Sequence, residues 1–139
     1  MFVESESKKV GNLAVSDALM TAVRASPCLD LQLADDERVA LLLEDYAFFT
    51  QDPALFCDRL DALTQLRGKA VVQGWKDQVR AGQIEPVVRE LLFKHYDPGY
   101  AQSMQRNFAQ YGTSKKIAAQ DRSAGTMADL AQKILTETD

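Results

Sequence analysis

The spacing of apolar residues changes along the chain, and it predicts strands near the start and helices afterwards. Residues 1–3 are apolar and lead into a segment of glutamate and serine, which predicts a short buried strand that ends near Glu4. Ser16 is a suitable N-cap for a helix that ends before Pro27. The alternating stretch CLDLQL predicts a second strand with its three leucines on one face.

From residue 35 onward the apolar period is that of helices. Asp35 or Asp36 is expected to cap the first of them. Asp52 as N-cap and Pro53 at the first helical position predict a restart, and that helix is expected to run until Gly68. The predicted stripes of four successive helices contain Val39, Leu42, Leu43, Tyr46 and Phe49; Phe56, Leu60 and Leu63; Val71, Val72, Trp75 and Val79; and Ile84, Val87, Val88, Leu91, Leu92 and His95.

The stretch HYDPGYAQSMQRNF, residues 95–108, contains the only histidine of the chain. Asp97 and Pro98 are predicted to end one helix and begin the next, because proline disfavours helical geometry at the residue before it. The inward face of the new helix is predicted to contain Tyr100, Met104, Phe108 and Tyr111. His95 has two interpretations, a half-buried residue beside helix-terminal carbonyls or part of a binding site.

After Gly112 the pattern changes again. The stretch KKIAAQ predicts a short edge strand, and TMADLAQKIL predicts a last helix with Thr126 as its N-cap. Cys28 is predicted in a strand and Cys57 in a helix, where free cysteine usually packs as a small apolar residue.

Composition limits the functions that these elements can serve. A chain of 139 residues with a net charge of −4 fits one domain that does not attract nucleic acid as a whole. Any RNA binding would need a local basic patch, and DNA is not an expected partner. No apolar run approaches the roughly 20 residues of a membrane helix, and no signal pattern follows Met1. A cytoplasmic protein without a membrane partner is therefore expected.

Common catalytic motifs are missing from the sequence. There is no GxxxxGK phosphate loop, no GxGxxG and no nucleophile motif, so catalytic residues are not assigned. One histidine and two distant cysteines cannot build a zinc site within the chain. Glu4 and Glu6 at a strand end could hold Mg²⁺ through water while Lys8 and Lys9 contact phosphate, and the alternative is a solvated charged loop.

Three stretches, FVESESKKVGN, DERVALLLEDY and HYDPGYAQSMQRNF, resemble in order and spacing the C-terminal part of bacterial tRNA 2-selenouridine synthase. The resemblance covers roughly residues 1–111. That family couples a rhodanese-like domain to a P-loop-containing domain. It converts wobble 2-thiouridine of tRNA to 2-selenouridine with selenophosphate, through an S-geranylated intermediate.

The resemblance is carried by individual residues. The acidic block of the family matches Glu4, Glu6, Ser7, Val10 and Gly11. Lys8 replaces its arginine and cannot grip phosphate in a bidentate way. Asn12 and Ser16 replace a basic residue and a proline. The tyrosine-rich block matches His95, Tyr96, Asp97, Pro98, Tyr100, Ser103, Arg106, Asn107 and Phe108. The implied substrate- or phosphate-binding residues are Glu4, Glu6, Ser7, Lys8, Lys9, His95, Tyr96, Tyr100 and Arg106, and no metal ligand is assigned.

The resemblance also implies a fold and partners. The expected fold is α/β, a partial P-loop-type sheet with a mainly helical subdomain. Residues 1–34 would hold strands of the P-loop-like domain, 35–112 the helical subdomain, and 113–139 a strand and helix that pack back on the sheet. The implied substrates are selenophosphate and geranyl diphosphate, neither bound by this chain alone. The implied partners are tRNA, bound weakly, and the missing N-terminal rhodanese and P-loop portion.

The rhodanese cysteine and the phosphate loop would lie upstream of Met1, so this transferase chemistry is not expected from the isolated chain. Two other interpretations remain open. The stretch LDLQLADDERVALLL also resembles the strand, loop and helix that follow the lid of nucleotide kinases, which suggests a P-loop enzyme fragment. A non-catalytic helical interaction module is the other, and it predicts a mobile segment from Glu4 to Lys9.

Overall fold

Helices make up most of the molecule. The computed structural model describes residues 2–5, 9–10 and 12–138. It is 68% helical with a small two-strand parallel sheet, which confirms a mixed α/β fold. No helix among these residues combines the length and the apolar character that crossing a membrane requires.

The predicted strand at the start of the chain is wrong. Residues 2–5 form no strand, and Phe2 and Val3 are exposed. No neighbouring strand pairs with them, so their apolar side chains have no sheet face to cover them. The predicted binding residues Glu6, Ser7 and Lys8 lie outside the described residues.

The chain divides into two compact units. Unit one contains Met1–Gln32 and Gly99–Ala118, and unit two contains Leu33–Pro98 and Ala119–Asp139. The boundaries predicted at residues 34 and 112 stay predictions.

Unit one contains a small hairpin, two helical segments and most of the parallel sheet. Its elements are β1 (Lys9–Val10), β2 (Leu13–Ala14), α1 (Asp17–Ala25), most of β3 (Pro27–Leu33), all but the first residues of α8 (Asp97–Asn107), and most of β4 (Gln110–Ala119). Strands β1 and β2 are antiparallel, with Lys9 opposite Ala14. Ser16 caps α1 as predicted, because its Oγ accepts a hydrogen bond from the Leu19 N–H at 3.3 Å.

The parallel sheet consists of β3 and β4. Both predicted strands are confirmed, and β4 begins earlier than expected, at Gln110. The three leucines of β3 share one face as predicted, but that face is mostly exposed and only Leu33 on it is partly covered. Leu29 and Leu31 are exposed, whereas Cys28 and Asp30 on the other face are partly covered. Successive residues of a strand face opposite sides, and Lys116 holds the Asp30 carboxylate at 3.3 Å.

The inward face predicted for α8 is half right. Met104 and Phe108 are buried, but Tyr100 is exposed and Tyr111 lies in β4. The Tyr100 hydroxyl is 3.5 Å from Ser5 Oγ. Within α8 the buried residue is therefore Met104, whereas Phe108 follows the end of the helix and Tyr111 belongs to the strand that begins at Gln110.

Unit two is built mainly from helices. They are α2 (Asp35–Asp45), α3 (Ala47–Gln51), α4 (Pro53–Asp61), α5 (Thr64–Arg67), α6 (Lys69–Arg80), α7 (Ile84–Leu91) and α9 (Ala124–Thr138). Asp52 caps α4 as predicted, since its carboxylate accepts from the Leu55 N–H at 3.1 Å. The continuous helix expected up to Gly68 is wrong, because Ala62 and Leu63 separate α4 from α5.

Two other predicted N-caps are wrong. The N-cap of α2 is Ala34, which makes no side-chain cap. Asp35 and Asp36 lie in the first turn instead, where their negative charges interact favourably with the positive end of the helix dipole. In α9, Ser123 Oγ accepts the Thr126 N–H at 3.2 Å, so the helix begins before the predicted cap.

The core of unit two lies among α4, α6 and α7. Its buried residues are Phe56, Cys57, Leu60, Val72, Trp75, Val79, Val87 and Leu91. Trp75 is only 3% exposed, which confirms its predicted packing. Lys76 on α6 binds the Asp61 carboxylate of α4 at 2.8 Å, so an ion pair closes the edge of this core.

The prediction that one helix ends and another begins at Asp97 and Pro98 is wrong, because the helical backbone continues through both residues. Leu92–Tyr96 form one π-helical turn, called the π turn below, and α8 follows directly. The Asp97 N–H donates to the Leu92 carbonyl, a π-type bond, and Pro98 has no N–H to donate. The wider turn therefore accommodates proline without ending the helix.

Candidate functional site

An apolar cavity of about 340 Å³ lies within unit two. Helices α2, α3, α4 and α7 and the π turn supply its walls. The lining residues are Leu42, Leu43, Tyr46, Phe49, Thr50, Phe56, Ile84, Val88, Leu91, Leu92 and Tyr96. Its volume is at the small end of the range for ligand pockets, about 300–1,000 Å³.

Helical spacing explains why these side chains meet. Ile84, Val88 and Leu91 repeat at intervals of four and three, so they form one stripe of α7. Tyr46 and Asp52 have non-helical backbone angles and bound the five-residue α3 between them. Helix α3 is therefore an element separate from α2, and its Phe49 and Thr50 supply a wall of the cavity.

The α3 wall is aromatic. The ring of Phe49 stacks on Tyr46 at 6.0 Å and contacts Phe48 at 4.3 Å and Phe56 at 5.7 Å, all measured between ring centroids. Phe56 belongs to the buried core, so the wall is anchored there. Phe48, by contrast, is 52% exposed.

The lining chemistry suits a hydrocarbon. Eight of the lining side chains are wholly apolar, and none is charged. The Thr50 hydroxyl already donates to the Ala47 carbonyl at 2.8 Å. The remaining polar groups are the hydroxyls of Tyr46 and Tyr96, and both residues are about half exposed. A ligand that places an uncharged hydrocarbon in the cavity and a polar group near these tyrosines would leave no buried charge unpaired.

The π turn connects the predicted tyrosine block with the cavity. Leu92 and Tyr96 line the cavity from this turn. The His95 ring meets the Tyr96 ring edge-on, with centroids 4.8 Å apart. Arg67 Nε donates to His95 Nδ1 at 3.0 Å, so Nδ1 carries no proton and Nε2 is the protonated nitrogen of the neutral ring. Single π turns within helices occur frequently at functional sites.

A bidentate ion pair fixes the C-terminal side of the π turn. Arg38 Nη1 and Nη2 donate to the two carboxylate oxygens of Asp97 at 3.0 and 2.6 Å. These hydrogen bonds raise the pKa of Arg38 above its ordinary value. Asp97 matches the tyrosine block, and here it has a structural role.

The structure brings together only part of the predicted site. His95 and Tyr96 are adjacent and belong to unit two, whereas Tyr100 and Arg106 belong to unit one. Glu4 is exposed and Lys9 lies in β1. Across the described ranges, no three His, Cys, Asp or Glu side chains gather into a metal site.

Sequence reasoning missed most of the cavity. It named the lining residues of α2, α4 and α7 only as core stripes. The available signal was that α2 and α7 contain more apolar residues than a single buried face of a helix needs. Arg67 gave no signal, because its contact with His95 joins residues 28 positions apart.

No protein-family model, curated protein or solved structure matches the chain.

Proposed function

We propose that the chain is the C-terminal part of a transferase of the tRNA 2-selenouridine synthase type, and that unit two binds the geranyl group of its S-geranylated intermediate or of geranyl diphosphate. One observation supports this proposal above all. Tyr96, a residue of the tyrosine-rich block, lines an apolar cavity that has no charged wall.

The size and lining of the cavity agree with a prenyl chain. Burying each carbon of a hydrocarbon contributes roughly 0.8 kcal/mol of favourable binding free energy, so a fully buried ten-carbon chain contributes on the order of 8 kcal/mol. Ordering the ligand and side chains costs several kcal/mol. About 4–5 kcal/mol remains, so the expected dissociation constant for an uncharged geranyl compound is about 0.2–1 mM.

In this proposal the rest of the protein supplies the chemistry. The strands β3 and β4 belong to a P-loop-type sheet. The phosphate loop of that sheet and the cysteine of the separate rhodanese-like domain lie in the missing N-terminal portion. Selenophosphate is handled there, and the complete enzyme works on tRNA in the cytoplasm. The isolated chain is expected neither to hydrolyse nucleotides nor to exchange sulfur for selenium.

The tRNA contact is proposed to be weak and local, because the net charge is −4. Tyr96 and Tyr100 are exposed enough to stack on unpaired bases. Lys8, Lys9, Lys94 and Arg106 are the proposed phosphate contacts. Lys94 forms an ion pair with Glu90 at 3.2 Å and would have to leave it.

Geraniol, the uncharged alcohol that carries the geranyl hydrocarbon, tests the cavity directly. Val88→Phe adds bulk to the lining, whereas Val71→Phe makes the same change on an exposed position of α6 outside the lining. In calorimetric titrations, geraniol should bind the wild type and the Val71 variant alike and the Val88 variant at least about tenfold more weakly. Equal binding to both variants, or none to the wild type, would refute the geranyl site.

Labelled tRNA tests the RNA contact. Arg106→Ala should flatten the log-log salt dependence of binding by about 0.7–0.9, the value for one phosphate contact. Tyr96→Ala should weaken binding by about 1–3 kcal/mol without changing that slope. If neither variant differs from the wild type, the tyrosine block has a structural role and the helical interaction module becomes the better interpretation.

A further inference from the structure

We propose that Arg67 and His95 form an anion site that binds a phosphate group attached to the apolar chain in the cavity. This inference rests on the proposed function, because it assigns the second half of the same ligand. Arg67 does not belong to any of the matched motifs. The site is inferred from its contacts.

Among the described residues, Arg67 has no carboxylate partner, unlike the other partly buried arginines of unit two. Four arginines of unit two are partly buried, and three of them contact carboxylates: Arg38 with Asp97 and Asp35, Arg89 with Asp36 and Glu85, and Arg122 with Glu37 and Glu44. Within the described part of the chain, no carboxylate oxygen lies within 4.0 Å of the Arg67 guanidinium. Its hydrogen-bond partner is the uncharged imidazole of His95. In the part of the chain that the structure describes, this partly buried positive charge thus has no negative partner.

The arrangement offers donors and no acceptor. Arg67 uses Nε for His95, which leaves the two terminal amino groups of the guanidinium fork for a ligand. His95 accepts at Nδ1, so its Nε2–H is a further donor. A cation and a set of N–H donors with planar fork geometry match the oxygens of a phosphate.

This donor set lies one ring away from the cavity. The His95 ring contacts the Tyr96 ring at 4.8 Å, and Tyr96 is itself a lining residue that is 57% exposed. In a prenyl diphosphate the charged head follows the hydrocarbon chain directly. The uncharged lining would exclude that head, and Arg67 and His95 would bind it at the solvent side of Tyr96.

Geraniol and geranyl diphosphate share the same hydrocarbon and differ in the head group, so comparing them isolates the contribution of the phosphate. The full-length protein should bind geranyl diphosphate about 10- to 100-fold more tightly than geraniol, the range expected for charge-assisted hydrogen bonds. Arg67→Gln should abolish this preference and leave geraniol binding unchanged. Arg59→Gln is the matched control, because Arg59 is exposed on α4 and should leave the preference intact. Raising the salt concentration should reduce the preference in the wild type and not in the Arg67 variant.

A phosphate beside a geranyl chain occurs on a prenyl diphosphate or on RNA that carries the geranylated base. S-geranyl-2-thiouridine with and without a 5′-phosphate separates these sources. If the diphosphate compound alone shows an Arg67-dependent preference, the head is a diphosphate. If the nucleotide alone shows it, the head is an RNA phosphate. Either outcome supports the anion site.

Further variants separate a binding role from a folding role. Arg67→Lys keeps the charge and should retain part of the preference. His95→Asn keeps an acceptor near Nδ1 and removes the Nε2–H donor, so it should lower the preference without affecting geraniol. An unchanged preference in a folded Arg67→Gln protein would overturn the anion site while the cavity stands. Absence of binding for all probes would overturn the site and the proposed function together.

Discussion

Replacing Trp75 with alanine tests the core that supports the cavity. An aromatic side chain buries about 150–250 Å², and Trp75 is 3% exposed. At about 25 cal/mol per Å² that burial is worth about 4–6 kcal/mol. Alanine retains the first side-chain carbon, so the expected loss is about 3–5 kcal/mol, in line with large-to-small core substitutions.

Urea unfolding followed by far-ultraviolet circular dichroism measures this loss, since the variant has no tryptophan fluorescence. Leu66→Ala is the control, because Leu66 is 73% exposed and should cost less than about 0.5 kcal/mol. The denaturant slope should stay the same if the variant loses only packing. If Trp75→Ala lowers the free energy of unfolding by less than about 1 kcal/mol, the packing of Trp75 among α4, α6 and α7 is refuted.

Three further predictions concern the polar contacts. Asp52→Ala removes the cap of α4 and should cost about 1 kcal/mol in the same unfolding assay. Asp97→Asn weakens the bidentate contact with Arg38, and since the two side chains are 37% and 30% exposed, the expected loss is about 1–2 kcal/mol. Arg122 donates to Glu44 and holds the pKa of that carboxyl below its ordinary 4.5, so the folded state binds the proton less readily than the unfolded state. The stabilisation is therefore present above pH 4.5 and is lost as the pH falls through the lower folded pKa. Glu44→Gln should flatten that acid limb of the stability curve, and an unchanged limb would contradict the contact.

Local sequence signals predicted the start of α4 and the buried stripe of α6. Asp52 and Pro53 mark the start of α4 because a short acceptor side chain and a fixed φ angle act within one turn. Trp75 and the valines around it mark α6 because a buried stripe repeats with the helical period. These are interactions between near neighbours, and the sequence displays near neighbours directly.

The face of β3 was not predictable in the same way. Alternation shows that the leucines share a side, but it does not say which side is covered. The Asp30 contact with Lys116 joins residues 86 positions apart. This contact lies on the partly covered face, and a pairing between residues so far apart leaves no signal in the local pattern.

The π turn and the cavity were also beyond local reasoning. Pro98 predicts a break from sequence, yet a wider turn accommodates it because the Asp97 N–H can reach back five residues to Leu92. The cavity is lined by residues of four helices and the π turn, and each lining side chain taken alone resembles an ordinary core residue. The tyrosine block was identified from sequence, but its partner Arg67 was not.

The central claim is that the cavity of unit two binds a geranyl chain, and methyl-resolved NMR of the full chain with geraniol tests it most directly. Methyl resonances of lining residues such as Val88, Leu91 and Leu92 should shift together in one saturating curve, while those of exposed Leu66 stay in place. Shifts confined to exposed methyls, or no saturable shift at the lining residues, would contradict the claim.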